Sequence, residues 1–187
     1  MIEIEKKFQV EKFDKIRGSL ASGKFDVMHQ GQSIAQTDEY FNHRQLRFDL
    51  QDIALRIRQV DDRYVLTFKG PNQDADTKIR SEIEVDFDRE DADKMAQMFL
   101  GMGMHSVAKV CKLRKAIQIR WQEATVEVCL DAVEEVGYFV ELEIVAENEG
   151  DVEASVAKLE SLAQQFELSD SITTSYLEML LQGRGQI

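Results

Sequence analysis

Proline occurs once, at Pro71, and cysteine twice, at Cys111 and Cys129, in a chain of 187 residues. With no low-complexity or Gly/Ser-rich tract to act as a linker, a single domain over residues 1–187 is expected. The two cysteines and the three histidines, His29, His43 and His105, have no zinc-ligand spacing, so a structural zinc site is not expected. In strand parity Cys111 goes with Leu113 and Cys129 with Asp131, which puts the two thiols on opposite sides of a sheet and argues against a disulfide. No apolar run approaches the roughly 20 residues of a membrane helix. The opening Met-Ile-Glu-Ile-Glu-Lys-Lys is charged at once, unlike a signal peptide, so a cytoplasmic protein without membrane association is expected. Positive charge is also short: 23 Lys and Arg face 35 Asp and Glu, a net charge of −12. Such a field repels a nucleic-acid backbone, so nucleic acid is not an expected partner. A small phosphate ligand is still allowed, because a local basic cluster with a divalent cation overrides the distant field.

What the chain does have is charge laid out in strand register. Hydrophobic residues make up 43% and charged residues 31%, enough for a packed core. Within this, like charges stand two apart in five short runs, and the sign alternates from run to run: Glu3/Glu5 with Lys7 beyond, Arg56/Arg58, Glu82/Glu84 with Arg80 before, Lys112/Arg114, and Glu141/Glu143. Residues i and i+2 of a strand share a face. Each run therefore projects matched charges from one side of a sheet, while Ile2, Ile4 and Phe8, Leu55 and Ile57, or Leu142 and Ile144 fill the other.

Alternation and β-branched content predict strands over roughly 2–9, 37–42, 53–60, 63–70, 78–87, 107–121, 124–131 and 138–146. Asp61-Asp62 and Gln122-Glu123 read as tight turns, and such short connections favour antiparallel pairing. Helices are expected over 11–21, 88–100, 151–166 and 171–182. Met95, Met98, Met102 and Met104, around one helix end, read as core filler. The fold class is α+β: a closed or nearly closed eight-stranded antiparallel barrel with helices packed outside.

The charged face gathers Lys7, Arg56, Arg58, Lys69, Arg80, Lys112 and Arg114 with Glu3, Glu5, Glu82, Glu84, Glu127, Asp131, Glu141 and Glu143. An open sheet wetted on its polar side would account for any one strand, with cross-strand ion pairs worth only tenths of a kcal/mol. Charges sorted by sign, with almost no Ser, Thr or Gln among them, fit an inward-facing lumen better. Buried ions there cost several kcal/mol each unless a ligand completes the network. Carboxylates suit Mg²⁺ or Mn²⁺, and arginine forks suit phosphate oxygens, so metal plus polyphosphate would satisfy both sets.

The ordered set resembles the CYTH superfamily, or triphosphate tunnel metalloenzymes, which includes class IV adenylate cyclases, thiamine triphosphatases and inorganic tripolyphosphatases. The likeness starts at Glu3-Ile4-Glu5-Lys6-Lys7. It runs through Asp38-Glu39-Tyr40-Phe41, Leu55-Arg56-Ile57-Arg58, Thr67-Phe68-Lys69-Gly70-Pro71, Arg80-Ser81-Glu82-Ile83-Glu84 and Lys112-Leu113-Arg114. It continues with Cys129-Leu130-Asp131 and Gly137 to Glu143, and ends near Ser175-Tyr176-Leu177-Glu178.

The resemblance implies an eight-stranded tunnel holding a triphosphate and divalent cations. Glu3, Glu5 and Glu143 would bind metal, with Glu141 and Asp131 close by. Lys7, Arg56, Arg58, Lys69, Lys112 and Arg114 would hold phosphates, with Arg80 on the same face. Glu82 and Glu84 would orient the basic groups or assist a second metal. In the triphosphatase branch Lys7 and Tyr40 would activate water. After Tyr40 the chain departs from the family pattern, with Asn42 in place of an Asp and His43-Arg44 in place of Thr-Pro. The Lys69-Gly70-Pro71 and Arg80-to-Glu84 segments look most like the cyclase branch, which converts ATP to cyclic AMP and pyrophosphate. Hydrolysis of thiamine triphosphate, tripolyphosphate or a nucleotide is the alternative, and a non-catalytic polyphosphate-binding module a third. The superfamily contains both monomers and homodimers.

Overall fold

Like charges two apart along a strand are buried at least cost beside charges of opposite sign, and the topology places Lys7 opposite Glu141, Arg58 opposite Asp38 and Arg114 opposite Asp131, while Glu143 faces Glu5 and Glu127. The computed structural model describes residues 2–187. In chain order the elements are β1 (Ile2–Val10), α1 (Asp14–Ala21), β2 (Asp26–His43), a 3-10 turn (Phe48–Gln51), β3 (Ala54–Val60), β4 (Arg63–Lys69) and β5 (Lys78–Asp88). There follow α2 (Arg89–Gly101), β6 (Met104–Trp121), β7 (Ala124–Val133), β8 (Gly137–Ala146), a second 3-10 turn (Glu149–Asp151), α3 (Val152–Gln165) and α4 (Tyr176–Gly183). The strands form a closed antiparallel barrel in the order β1-β5-β4-β3-β2-β6-β7-β8, with β8 returning to β1. The expected α+β barrel with external helices is therefore the observed fold.

The apolar parity faces outward and the helices cover much of it, leaving Ile83, Val85 and Leu113 exposed. Ile4, Phe8, Leu142 and Ile144 pack with Leu159, Leu162, Ala163 and Phe166 of and just beyond α3. Phe41, Leu55 and Ile57 pack against Phe99 of α2. Two clusters of the hydrophobic core thus lie between wall and helices, while a third, with Tyr40, Val110, Val133 and Phe139, shares the charged parity and packs against Tyr176 and Leu180 of α4. A buried leucine such as Leu159 contributes on the order of 2 kcal/mol by leaving water. Trp121 joins the same core, its ring 5.9 Å from that of Phe25.

Three expectations need correction. The second strand begins at Asp26, well before residue 37, because residues 26–35 pair along β6 through two register shifts while remaining largely exposed. A strand exposed on both sides has no reason to alternate, so periodicity could not reveal it. The terminal helix starts at Tyr176: Ser175 is a non-helical cap whose side chain accepts from the Glu178 N–H while Glu178 accepts from the Ser175 N–H. Of the four methionines near α2, Met95 and Met104 join the core, whereas Met98 and Met102 stay exposed. The turns fall as expected, with Asp61 at φ 53° and Gln122 and Glu123 at 48° and 63°. The last two give the primed turn that suits a two-residue hairpin.

Candidate active site

Strand register makes the site. Lys7 stands opposite Glu141, Glu5 opposite Glu143, Asp38 opposite Arg58, Tyr40 opposite Arg56, and Lys69 opposite Glu82. All of these but Asp38 line a cavity of about 920 Å³. Of the residues expected on the charged face, only Asp131 does not line this cavity; it lies fully buried beneath the lumen groups that bond to it.

One side of the lumen is a hub around Asp131. Arg114 donates to both Asp131 oxygens at 2.8 and 2.6 Å, and Lys112 and the Tyr176 hydroxyl donate to Oδ2 at 3.2 and 3.1 Å. With four donors on two oxygens, Asp131 in this structure anchors the basic groups. Arg114 also pairs with Glu141 and lies 3.3 Å from Glu143. On the neighbouring strands β2 and β3, Arg58 grips Asp38 with two bonds of 2.6 and 2.8 Å, and Arg56 adds one at 3.3 Å. Burial would raise the Asp38 carboxyl, but Arg56 and Arg58 hold it well below the usual range.

Lys7 is 2% exposed, 3.4 Å from Glu5 and 3.5 Å from Glu141. Burial opposes its charge, but these two carboxylates outweigh burial and raise its pKa. Its ammonium lies 4.4 Å from the centroid of the Tyr176 ring. The Tyr40 hydroxyl is instead 3.5 Å from Arg56 Nη1. Lys69 pairs with Glu3 and lies 3.4 Å from Glu82, while Thr67 donates to Glu84 at 2.9 Å. Arg80 lines the cavity, yet its guanidinium is held by both oxygens of Asp52, at 2.9 and 3.1 Å, and its Nε is buried without an acceptor.

Ligand atoms of Glu3, Glu5 and Glu143 lie within 4.8 Å of one another. Glu5 Oε1 is buried without a hydrogen-bond donor; its contacts with Lys7 and with Lys78 at 3.7 Å are ion pairs lacking hydrogen-bond geometry. Glu143 faces both Glu5 and Glu127 across the ladder, and like charges placed directly opposite destabilise a sheet. Burial first, then Glu3, Glu141 and Glu5, push its carboxyl well above the usual range against the pull of Arg114. Three hard oxygens with one orphaned lone-pair donor fit a divalent cation such as Mg²⁺ or Mn²⁺.

Four functional neighbours were not assigned from sequence. Lys78 lines the lumen and shares parity with Arg80, so extending that strand's face by one residue would have found it. Asp38 shares parity with Tyr40. Asp52 and Tyr176 carry no strand parity, since they arrive from a loop and from α4. Cys111 and Cys129 are both free thiols.

Residues 1–176 match the CYTH domain. A Methanocaldococcus jannaschii protein provisionally named an adenylate cyclase is 32% identical over 181 residues, covering 96% of this chain and 98% of its own. A solved Pyrococcus horikoshii protein is also 32% identical, with a TM-score of 0.81 over 96% of this chain and 98% of its own. A Hippeastrum protein, described as an adenylyl cyclase candidate with a dominant triphosphatase activity, has the same fold at 18% identity, with a TM-score of 0.68 over 97% of this chain and 95% of its own.

Proposed function

The chain belongs to the CYTH domain family, and on that basis we propose that it is a divalent-metal-dependent enzyme acting on a triphosphate held in the tunnel, with ATP cyclisation as the reaction. The observation that carries this reading is the Glu3/Glu5/Glu143 cluster standing beside a lumen lined by Lys7, Arg56, Arg58, Lys69, Lys112 and Arg114. A binder of bare anions gains nothing from carboxylates in register, and a wetted sheet gains nothing from enclosing them.

Glu3, Glu5 and Glu143 would hold the metal. When bound, a divalent cation supplies charge to non-bridging phosphate oxygens and lowers their mutual repulsion. Arg58, Arg56 and Arg114 present planar forks whose orientation is fixed from behind by Asp38 and Asp131. Lys7 remains an ammonium between Glu5 and Glu141, so it contributes positive charge to the transferring phosphoryl group. In cyclisation the ribose 3′-hydroxyl gives up its proton as its oxygen bonds to the α-phosphorus, and the bond from that phosphorus to the oxygen shared with the β-phosphate breaks, releasing pyrophosphate and the proton. Charge stabilisation and positioning are the main needs of such a transfer. Hydrolysis would use the same cradle with water at the γ-phosphorus.

The test is product identification after incubation with Mg²⁺ or Mn²⁺ and, separately, ATP, thiamine triphosphate and tripolyphosphate. Cyclic AMP with pyrophosphate supports the cyclase; orthophosphate replaces it with a triphosphatase. Tight binding without turnover on all three would replace both with a sequestering module.

A further inference from the structure

Tyr176 lines the lumen from the first turn of α4, and two lysines meet over its ring. Lys7 Nζ lies 4.4 Å and Lys112 Nζ 5.2 Å from the ring centroid. The ring packs against Phe139 with centroids 5.0 Å apart, and the hydroxyl donates to Asp131 Oδ2 at 3.1 Å. Phe139 and Asp131 are both fully buried, so ring and hydroxyl are each held by groups that cannot move into solvent. The capping box at Ser175 and Glu178 fixes where the helix starts, and with it where Tyr176 enters.

Two buried ammonium groups facing one cavity repel each other, and an aromatic face is one of the few surfaces that attracts a cation without neutralising it. Lys7 has carboxylates within 3.5 Å, and Lys112 has Asp131, which it shares with Arg114 and Tyr176. We propose that Tyr176 is a positioning residue: its ring holds the Lys7 and Lys112 ammonium groups at a fixed separation, aimed together at one phosphoryl group, while its hydroxyl locks the ring to Asp131. This rests on the reading of the tunnel as a triphosphate site. It adds that α4 supplies a working part of that site in addition to packing on the barrel.

The test compares Tyr176→Phe, which keeps the ring, with Tyr176→Leu, which removes it. The first readout needs no ligand. In protein carrying ¹³C-labelled lysine, the side-chain methylene signals of Lys7 and Lys112 are expected upfield from the ring current, retained in Tyr176→Phe and lost in Tyr176→Leu. The second is inorganic tripolyphosphate binding by calorimetry with metal chelated. Tyr176→Leu is expected to bind about tenfold more weakly, and Tyr176→Phe within about threefold of the parent. Under turnover the leucine variant should raise KM more than it lowers kcat, and the phenylalanine variant should restore KM. If Tyr176→Leu does not fold, the shifts in the parent and in Tyr176→Phe decide the matter.

The inference is overturned if the two lysines show no upfield shift in the parent, or if Tyr176→Phe loses as much affinity as Tyr176→Leu. It is also overturned if Tyr176→Leu binds like the parent. A parent that shows the shifts but binds no triphosphate would overturn the functional reading and leave the ring's hold on the lysines standing.

Discussion

Glu5 and Glu143 stand directly opposite each other on β1 and β8, and their surroundings drive their carboxyl groups apart. Burial and Glu141 push Glu5 up, but Lys78, Lys7 and Lys69 win and hold it at about 2. Glu143 goes the other way and keeps its proton well above 4.5. Within that upper window the folded chain binds a proton that the unfolded chain has released, so Glu143 costs stability as pH rises above about 4.5. The contribution from Glu5 is present above 4.5 and is lost as pH falls toward 2. A divalent cation must displace the Glu143 proton, so binding should release protons and tighten with pH. We expect Mg²⁺ to raise Tm more at pH 8 than at pH 5, and Glu143→Gln to abolish the difference. An equal rise at both pH values in the parent would refute the assignment.

Lys78 and Lys112 are both lowered to about 8, in each case mainly by burial. Between 8 and 10.5 the unfolded chain holds protons that the folded chain has shed, so stability from these groups rises with pH over that interval. On the proposed function, a triphosphate bound in the lumen would restore their charge. Its affinity should therefore fall as pH rises from 8, and binding near pH 8.5 should take up about one proton. Calorimetry in two buffers of different ionisation heat reads this directly; zero uptake would contradict it.

Arg58 holds Asp38 and, on the proposed function, would also hold phosphate, so a single substitution tests both roles. Arg58→Ala should weaken triphosphate binding at least about tenfold. It also leaves Asp38, 1% exposed, with Arg56 as its remaining guanidinium partner, which should cost about 2–4 kcal/mol of stability. The double variant Arg58→Ala/Asp38→Asn should recover most of the stability and none of the affinity. Urea unfolding alongside binding separates the two effects. Recovery of binding in the double variant would show that Arg58 does not contact the ligand.

Ser175→Ala removes one half of the capping box and should cost about 1 kcal/mol. Ser175 lines the cavity and caps the helix that carries Tyr176. We therefore expect KM to rise modestly, with the stability loss measured by thermal melting. A change in Tm with no change in KM would separate helix capping from the site.

Most of the barrel was legible because charge parity is a strong signal wherever a strand is buried on both sides. Ile4 and Phe8 had to pack on one side, so Glu3, Glu5 and Lys7 had to share the other. That same logic could not see residues 26–35, which meet water and carry no alternation. Nor could it see Asp52 or Tyr176, whose places are set by a loop in left-handed backbone and by a helix cap. Tyr40 was readable as a lumen residue, but which tyrosine stands over Lys7 depends on how α4 docks, and strand parity says nothing of docking.

From Asp26 to Ala35, β2 bonds to β6 on one side and, among the described residues, to no strand on the other. A straight edge of that length invites another chain to zip on and nucleate aggregates. The bulges at Val27/His29 and Gln30/Ser33 break the row of free amide groups into short, misaligned pieces. The crooked backbone of this arm thus offers an incoming strand no continuous ladder to extend.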